Sequence, residues 1–400
     1  MIIKPRIKGF ICTTAHPLGC AVDVDQQIAH VKAQGALGAD NAKAPGKVLV
    51  IGASGGYGLA SRISTAFGCG AATLGVFFER AADGKRTASA GWYKSAAFTR
   101  RAQEAGLYAA NINGDAFSDE IKDAACDLIE RDLGQVDLVV YSLAAPARQL
   151  PDGRLVRSAL KPIGEAFSGK TIDFKSGELR DISLEPASSD EIADTVTVMG
   201  GEDWESWIDR LAARGLLADG CITTNYTYLG SEVTWPIYLH GTIGKAKVDL
   251  DRAAKALAGA MSPLSSVGGK AYVVVMKGLL TQAASAIPGM SVYLSLLFRA
   301  MKDAGTHEGC IEQTTRLVAS QLYGGGEMRL DEEGRIRMDE LELADGVQAY
   351  VKEHWSQVSA DNLNDVTDFA GYQQAFLQMH GFGFDTVDYD EDVEPEVALP

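Results

Sequence analysis

The apolar residues of this chain gather first into short unbroken runs rich in β-branched side chains, with helically spaced stretches between them. Val48–Ile51 leads, then "ATLGVFFE" (72–79), "LYAANI" (107–112), "VDLVVYS" (136–142), Cys221–Leu229 and "AYVVVM" (271–276). Unbroken runs of this length fit strands buried on both faces, as in a parallel sheet. Leu59, Ile63, Ala66 and Phe67 then recur at helical spacing behind the first run. Strand and helix alternate, which predicts an α/β fold, a doubly wound parallel sheet with helices on both faces.

Two stretches break that rhythm. "KTIDFKSGELRDISLE" (170–185) alternates polar and apolar residues around a Ser-Gly-Glu turn, the mark of a hairpin. "GGEDWESWIDRLAARG" (200–215) has the pattern of an amphipathic helix. Beyond about residue 288 the chain reads as mainly helical and ends in the acidic "DYDEDVEPEVALP". The expected organisation is one elaborated domain over residues 1–400. Its core spans about 47–145 and 221–290, a covering insertion about 146–220, and a C-terminal helical layer about 291–400.

Composition narrows the class. Hydrophobic residues make up 46% and charged residues 22%, ordinary for a globular chain able to bury a large core. No run of eighteen apolar residues occurs, so no membrane span is expected. The N-terminus lacks the apolar stretch of a signal peptide, and the expected location is cytoplasmic. A net charge of −16 argues against a nucleic-acid partner. The six cysteines form no C-x-x-C pair and the six histidines no H-E-x-x-H, so reduced thiols and no metal site are expected.

Chemistry enters at the turn after the first strand. Gly52-Ala53-Ser54-Gly55-Gly56-Tyr57-Gly58 has the form G-x-x-x-G-x-G between a strand and a helix. There glycines let backbone approach a pyrophosphate, which the helix N-terminus stabilises. Dinucleotide binding is the expectation. Glu79, at the end of the second strand, suits ribose hydroxyls and would repel a 2′-phosphate, which favours NADH over NADPH. Arg80 beside it pulls the other way. Asp115, after the third strand, fits either a bond to the adenine amino group or a solvated helix cap.

"IYLHGTIGKAK" (237–247) offers a tyrosine and two lysines. On one continuous helix, turning about 100° per residue, Tyr238 and Lys247 would face opposite ways, and Lys245 would lie about 10 Å from Tyr238 along the axis. Gly241 and Thr242 break the continuity: Thr242 suits the N-cap of a helix over Ile243–Met261, with Tyr238 in the loop before it. In that register Lys245 and Lys247 leave the helix about 200° apart.

Together these segments resemble the trans-2-enoyl-acyl-carrier-protein and trans-2-enoyl-CoA reductases of the FabV type, whose signature Tyr-x8-Lys matches Tyr238 and Lys247. The likeness runs nearly the whole length, through "MIIKPRIKGFICTTAHPLGC", "VLVIGASGGYGLA", "TLGVFFER", "INGDAFSDEIK", "VYSLAAP", "VMGGEDW", "TYLG", "GTIGKAK", "VYLSLLF", "GTHEGCIEQ" and "DFAGYQQAFLQMHGFG".

The resemblance implies a monomeric Rossmann-type enzyme that reduces the carbon–carbon double bond of an enoyl thioester with NADH. By it, Gly52, Ala53, Ser54, Gly55, Gly56 and Tyr57 hold the pyrophosphate, Phe78 and Glu79 flank the adenosine, and Asp115 and Ala116 contact adenine. Leu143 and Ala144 line the cofactor, and Leu279, Leu280 and Thr281 approach its nicotinamide end. Tyr228 touches the substrate, Tyr238 donates the proton and Lys247 binds the cofactor. Some family schemes give the C-terminal region a flavin; no flavin motif is legible there.

Tyr141 reads as structural. Arg148, Arg154, Arg157 and Lys161 form a basic stretch that fits either a solvated face or docking of CoA phosphates or an acyl carrier protein. Rival readings are a carbonyl-reducing short-chain dehydrogenase, which would want Tyr-x3-Lys, and a non-catalytic NAD(H)-binding protein.

Overall fold

A computed structural model describes residues 1–38, 44–174 and 176–400. Seven strands form one parallel sheet: β1 (Lys47–Ile51), β2 (Ala72–Phe77), β3 (Ala109–Asn113), β4 (Val136–Tyr141), β5 (Leu217–Thr227), β6 (Lys270–Val275) and β7 (Ile336–Arg337). Their order across the sheet is β7-β6-β5-β4-β1-β2-β3. The strand order reverses between β1 and β4, and ligands of such sheets bind outside the strand ends at that point. The doubly wound expectation holds.

Helices cover both faces. On one lie α1 (Pro17–Ala33), α2 (Gly56–Cys69) and α3 (Ala90–Glu104), whose apolar sides share a core with Val48, Val50 and Val140. On the other lie α4 (Asp119–Leu128), α5 (Ser189–Met199), α6 (Glu202–Ala213) and α7 (Thr242–Leu257). Trp204, Trp207 and Leu250 from α6 and α7 pack there against Leu49, Ile51 and Val139. A third core forms around α8 (Met290–Asp303), α9 (Asp345–Trp355) and α10 (Phe369–Met379).

Several sequence boundaries shift, each for a local reason. β3 starts at Ala109, because Gly106, at φ +74°, and Leu107 still close the turn after α3. β5 begins four residues early, at Leu217, and absorbs the excess in a bulge between Leu217 and Ile222. The hairpin forms as expected, pairing Phe167–Ile172 with Leu179–Leu184. The C-terminal layer is not helical throughout, since it supplies the edge strand β7. A two-residue strand leaves too little pattern to read.

The segment after β3 is pinned from below by a buried network. Lys122 Nζ of α4 donates to Asp203 Oδ1 of α6 at 2.7 Å and to the Phe117 carbonyl at 2.9 Å. Tyr141, at the end of β4, donates to Asp203 Oδ2 at 2.9 Å, and Trp207 Nε1 to the Ala116 carbonyl at 3.1 Å. Lys122 and Asp203 are each 2% exposed. Tyr141 is therefore structural, as expected. A buried pair of this kind contributes little net stability when intact, but losing one member leaves the other charge stranded. Lys122→Met should lower stability by about 3–5 kcal/mol, seen as a lower urea midpoint at unchanged slope.

Candidate active site

The glycine turn sits against the end of β4. Gly52 has φ +86°, and a Cβ there would lie 2.2 Å from the Ser142 carbonyl oxygen. A Cβ on Gly58 would lie 2.0 Å from the Gly52 carbonyl oxygen. Gly55 is the N-cap of α2 and offers no side-chain cap, so the first amides of a fourteen-residue helix stay free for an anion. These features fit a dinucleotide pyrophosphate.

Around the cradle stand most of the residues expected of it. Ser54 Oγ donates to Glu79 Oε1 at 2.7 Å, and Asn113 holds both the amide and the carbonyl of Glu79. β2 ends at Phe77, so Phe78, 77% exposed, and Glu79 lie in the loop beyond it. Arg80 Nη1 is engaged by the Thr87 carbonyl at 2.9 Å. Asp115 is not the cap of α4; that is Ser118, while Asp115 Oδ1 accepts from the Phe117 amide in a turn. Ala116 is buried beside it. Leu143 and Ala144 follow directly from the Ser142 contact. Thr281 Cγ2 is 3.5 Å from where a Gly56 Cβ would stand, which brings Leu279, Leu280 and Thr281 to the cradle. Tyr57 ties the two sides together, its hydroxyl donating to the Lys277 carbonyl at 2.9 Å.

The tyrosine–lysine segment breaks before α7 as the spacing required, with two corrections to the helix. Residues 232–240 form a run of turns, and α7 begins at Thr242 with Gly241, not Thr242, as its N-cap. The Thr242 hydroxyl is used elsewhere, bonding to the Ala159 carbonyl, while its amide bonds to the Lys161 carbonyl at 3.0 Å. α7 ends at Leu257 rather than Met261, because Gly259 and the Ser262-Pro263 start of the next helix interrupt it.

Gly244 fixes the register. A Cβ there would meet the Leu239 carbonyl oxygen at 1.8 Å and that of Tyr238 at 2.9 Å, so the first turn of α7 packs on the backbone of the tyrosine itself. Lys247 is three residues on and leaves the same helix face. Lys247 is half-buried, whereas Lys245 is exposed.

Tyr238 is 5% exposed. Its ring meets that of Tyr228 edge-on, with centroids 4.8 Å apart. Burial, then the nearby Glu342 carboxylate, push its phenol above the ordinary value, so it stays protonated at neutral pH. Burial pulls Lys247 down to about 8, with Asp251 opposing. Among the described residues neither the Tyr238 hydroxyl nor the Lys247 ammonium has a hydrogen-bond partner.

Sequence reasoning missed two groups here. Glu342, fully buried, accepts from Tyr228 OH at 2.8 Å, Tyr293 OH at 2.5 Å and the Gly278 amide at 2.5 Å. Lys277, 1% exposed and pulled by burial to about 8, donates to the Gly278 and Glu308 carbonyls. A lysine closing the apolar run "AYVVVM" was a readable signal; Glu342 among neighbouring acids was not. The basic stretch largely dissolves. Arg148 is buried, bonding to the Thr197 carbonyl and Glu202, and Lys161 pairs with Glu191, which leaves Arg154 and Arg157 exposed.

Comparison with known proteins agrees along the whole chain. Residues 86–323 match the model of the trans-2-enoyl-CoA reductase catalytic region, and residues 2–84 that of the NAD(P)H binding domain of the same enzymes. Residues 330–393 match an enoyl reductase FAD binding domain. Enoyl-[acyl-carrier-protein] reductase [NADH] of Edwardsiella ictaluri is 54% identical over 400 residues, covering 100% of this chain and 99% of the relative. The FabV protein of Aeromonas salmonicida is equally identical over the same length. The structure of Treponema denticola trans-2-enoyl-CoA reductase in complex with NAD superimposes with a TM-score of 0.93 at 47% identity, covering 98% of each chain.

The residues of 330–393 do not fit a flavin. No strand–glycine–helix turn occurs there among the described residues; α9 starts behind Ala344 without a side-chain cap. Val347, Val351, Leu363, Tyr372 and Phe376 are buried in the core around α8, and Phe174 stacks on Phe376 at 4.3 Å.

Proposed function

From the premise that the chain belongs to the trans-2-enoyl-CoA reductase family, together with the NADH-dependent enoyl-[acyl-carrier-protein] reductases, we propose that Tyr238 and Lys247 carry its chemistry. The protein is an NADH-dependent reductase of the carbon–carbon double bond of trans-2-enoyl thioesters in fatty-acid synthesis. When bound, NADH supplies a hydride to the β-carbon of the substrate.

What supports the assignment is the Gly244 contact, which packs the first turn of α7 on the Tyr238 backbone with Lys247 on the same helix face, together with a phenol and an ammonium that have no hydrogen-bond partner among the described residues. Hydride addition places negative charge on the thioester oxygen. Tyr238 donates a hydrogen bond there, stabilising the enolate, and its proton is then available to the substrate. A phenol held above its ordinary value keeps that proton until charge develops. The Lys247 ammonium, largely charged at neutral pH, binds the cofactor ribose. Gly52, Ala53, Ser54, Gly55, Gly56 and Tyr57 hold its pyrophosphate, and Glu79 its adenosine ribose. Asp115 and Ala116 take the adenine side, and Leu143, Ala144, Leu279, Leu280 and Thr281 line the remainder. Of the expected insertion, the part before α5, about 146–188, covers the substrate and is stitched to α7 through Thr242, whereas α6 packs on the sheet and β5 begins at Leu217. The enzyme works as a monomer in the cytoplasm, on CoA or carrier-protein thioesters.

NADH absorbance followed with crotonyl-CoA, then with a carrier-protein enoyl thioester, tests the activity and tells the two carriers apart. Absence of turnover with both overturns the reading. Tyr238→Phe should lower kcat about 10²–10³-fold while NADH fluorescence titration stays unchanged, since one transition-state donor is lost. Lys247→Met should weaken NADH binding and turnover together, and Lys245→Met should change neither.

Glu79 yields a separate expectation. Its carboxylate, held by Ser54 beside the cradle, repels a 2′-phosphate. Glu79→Ala should narrow the preference for NADH over NADPH, read as the ratio of the two kcat/KM values.

A further inference from the structure

We propose that Glu342 is a positioning residue of the active site: it claims the proton of Tyr228 and so leaves Tyr238 as the hydroxyl free to donate to substrate. The inference rests on the assignment of Tyr238 above. It also gives the C-terminal region, which does not fit a flavin, a part in the reaction.

Three donors converge on one carboxylate. Tyr228 and Tyr293 both donate to Oε1, and the Gly278 amide donates to Oε2. Gln348 Nε2 holds the Glu342 carbonyl at 2.7 Å, so the residue is anchored at both ends. A backbone amide only donates, so the contact with Gly278 fixes the direction at Oε2. Burial raises the Glu342 pKa, while Lys277 and the three donors favour the ionised form, which only accepts. A phenol has one proton. With that proton directed at Glu342, Tyr228 offers the rest of the site lone pairs and a ring edge.

The backbone is shaped for this arrangement. A Cβ at Gly278 would stand 3.0 Å from Tyr228 OH and 3.3 Å from Glu342 Oε1, so the bare glycine lets phenol and carboxylate close onto it. Gly278 immediately precedes the Leu279–Thr281 segment that borders the cradle. One side chain thus orients the tyrosine pair and holds the strand end next to the cofactor. The groups facing it are Tyr228, Tyr293 and the buried Lys277: burial raises the Glu342 pKa, and Lys277 first among these groups opposes that.

Kinetics with crotonyl-CoA and NADH on Tyr228→Phe, Tyr238→Phe, Glu342→Gln and the Tyr228→Phe/Glu342→Gln double variant test the proposal. Glutamine cannot accept from Gly278 and both phenols together. Glu342→Gln should therefore lower kcat by about tenfold or more, with the NADH dissociation constant unchanged. Tyr228→Phe should cost much less than Tyr238→Phe. The double variant should be no worse than the poorer single one, because both substitutions break the same contact. Tyr228→Phe as damaging as Tyr238→Phe would overturn the proposal, and so would unchanged kcat in Glu342→Gln. Independent multiplication of the two effects, or equal loss of NADH binding and kcat, would overturn it as well. Should Glu342→Gln fail to fold, the comparison of the two tyrosine variants decides alone. Full kcat in Tyr238→Phe would instead sink the assignment on which the inference stands.

Discussion

How closely the turn after β1 packs on the end of β4, and α2 on that turn, is decided by two missing side chains. At Gly52 and Gly58 any Cβ would penetrate a carbonyl group, at 2.2 and 2.0 Å. No rotamer relieves such a clash, because both partners are backbone. With hydrogen in those places, the turn drops into the reversal point of the sheet and α2 aims its free amides outward over the strand ends. The other contacts of the site follow in sequence. Tyr57 reaches from that turn to the Lys277 carbonyl, Lys277 leads into Gly278, and Gly278 meets Glu342. A cofactor cradle built near the N-terminus is thereby in register with a carboxylate near residue 340.

That path also explains which parts were legible in the sequence. The six longer strands could be read because burial on both faces writes continuous apolar runs, and the cradle because glycines are needed where φ is positive or backbone nearly touches backbone. The separation of Lys245 from Lys247 followed from the angle per residue alone, and burial now distinguishes them. The cap of α7 was misassigned for a physical reason. Threonine is a common N-cap, but the Thr242 hydroxyl bonds the Ala159 carbonyl across a tertiary contact that no local pattern encodes. The basic stretch was legible only in part: Arg154 and Arg157 stay exposed, whereas the partners of Arg148 and Lys161 lie 30 or more residues away. Glu342 was hidden most completely. Its neighbours Asp339, Glu340 and Asp345 are chemically alike, and only the fold shows that it turns inward.

The protein as a whole is strongly acidic, yet its cofactor and either form of its substrate carry phosphate. Screening resolves the conflict. At physiological ionic strength exposed charges fade over about 8 Å, so a net charge of −16 spread over the surface acts weakly inside a cleft. Within the site the local charges are differently arranged. The start of α2 offers uncapped amides at the cradle, and the role proposed for Lys247 adds an ammonium there, burial weakening the screening of such groups. Burial raises the Glu342 pKa, and Lys277 and three donors oppose that, so what remains of its field acts mainly on the neighbouring phenols. There it opposes ionisation of Tyr238, as the donor role proposed for that phenol requires. Surface acidity and anion binding therefore coexist because they are set at different distances, and the sign of the site is decided by a few groups whose partners have been withheld.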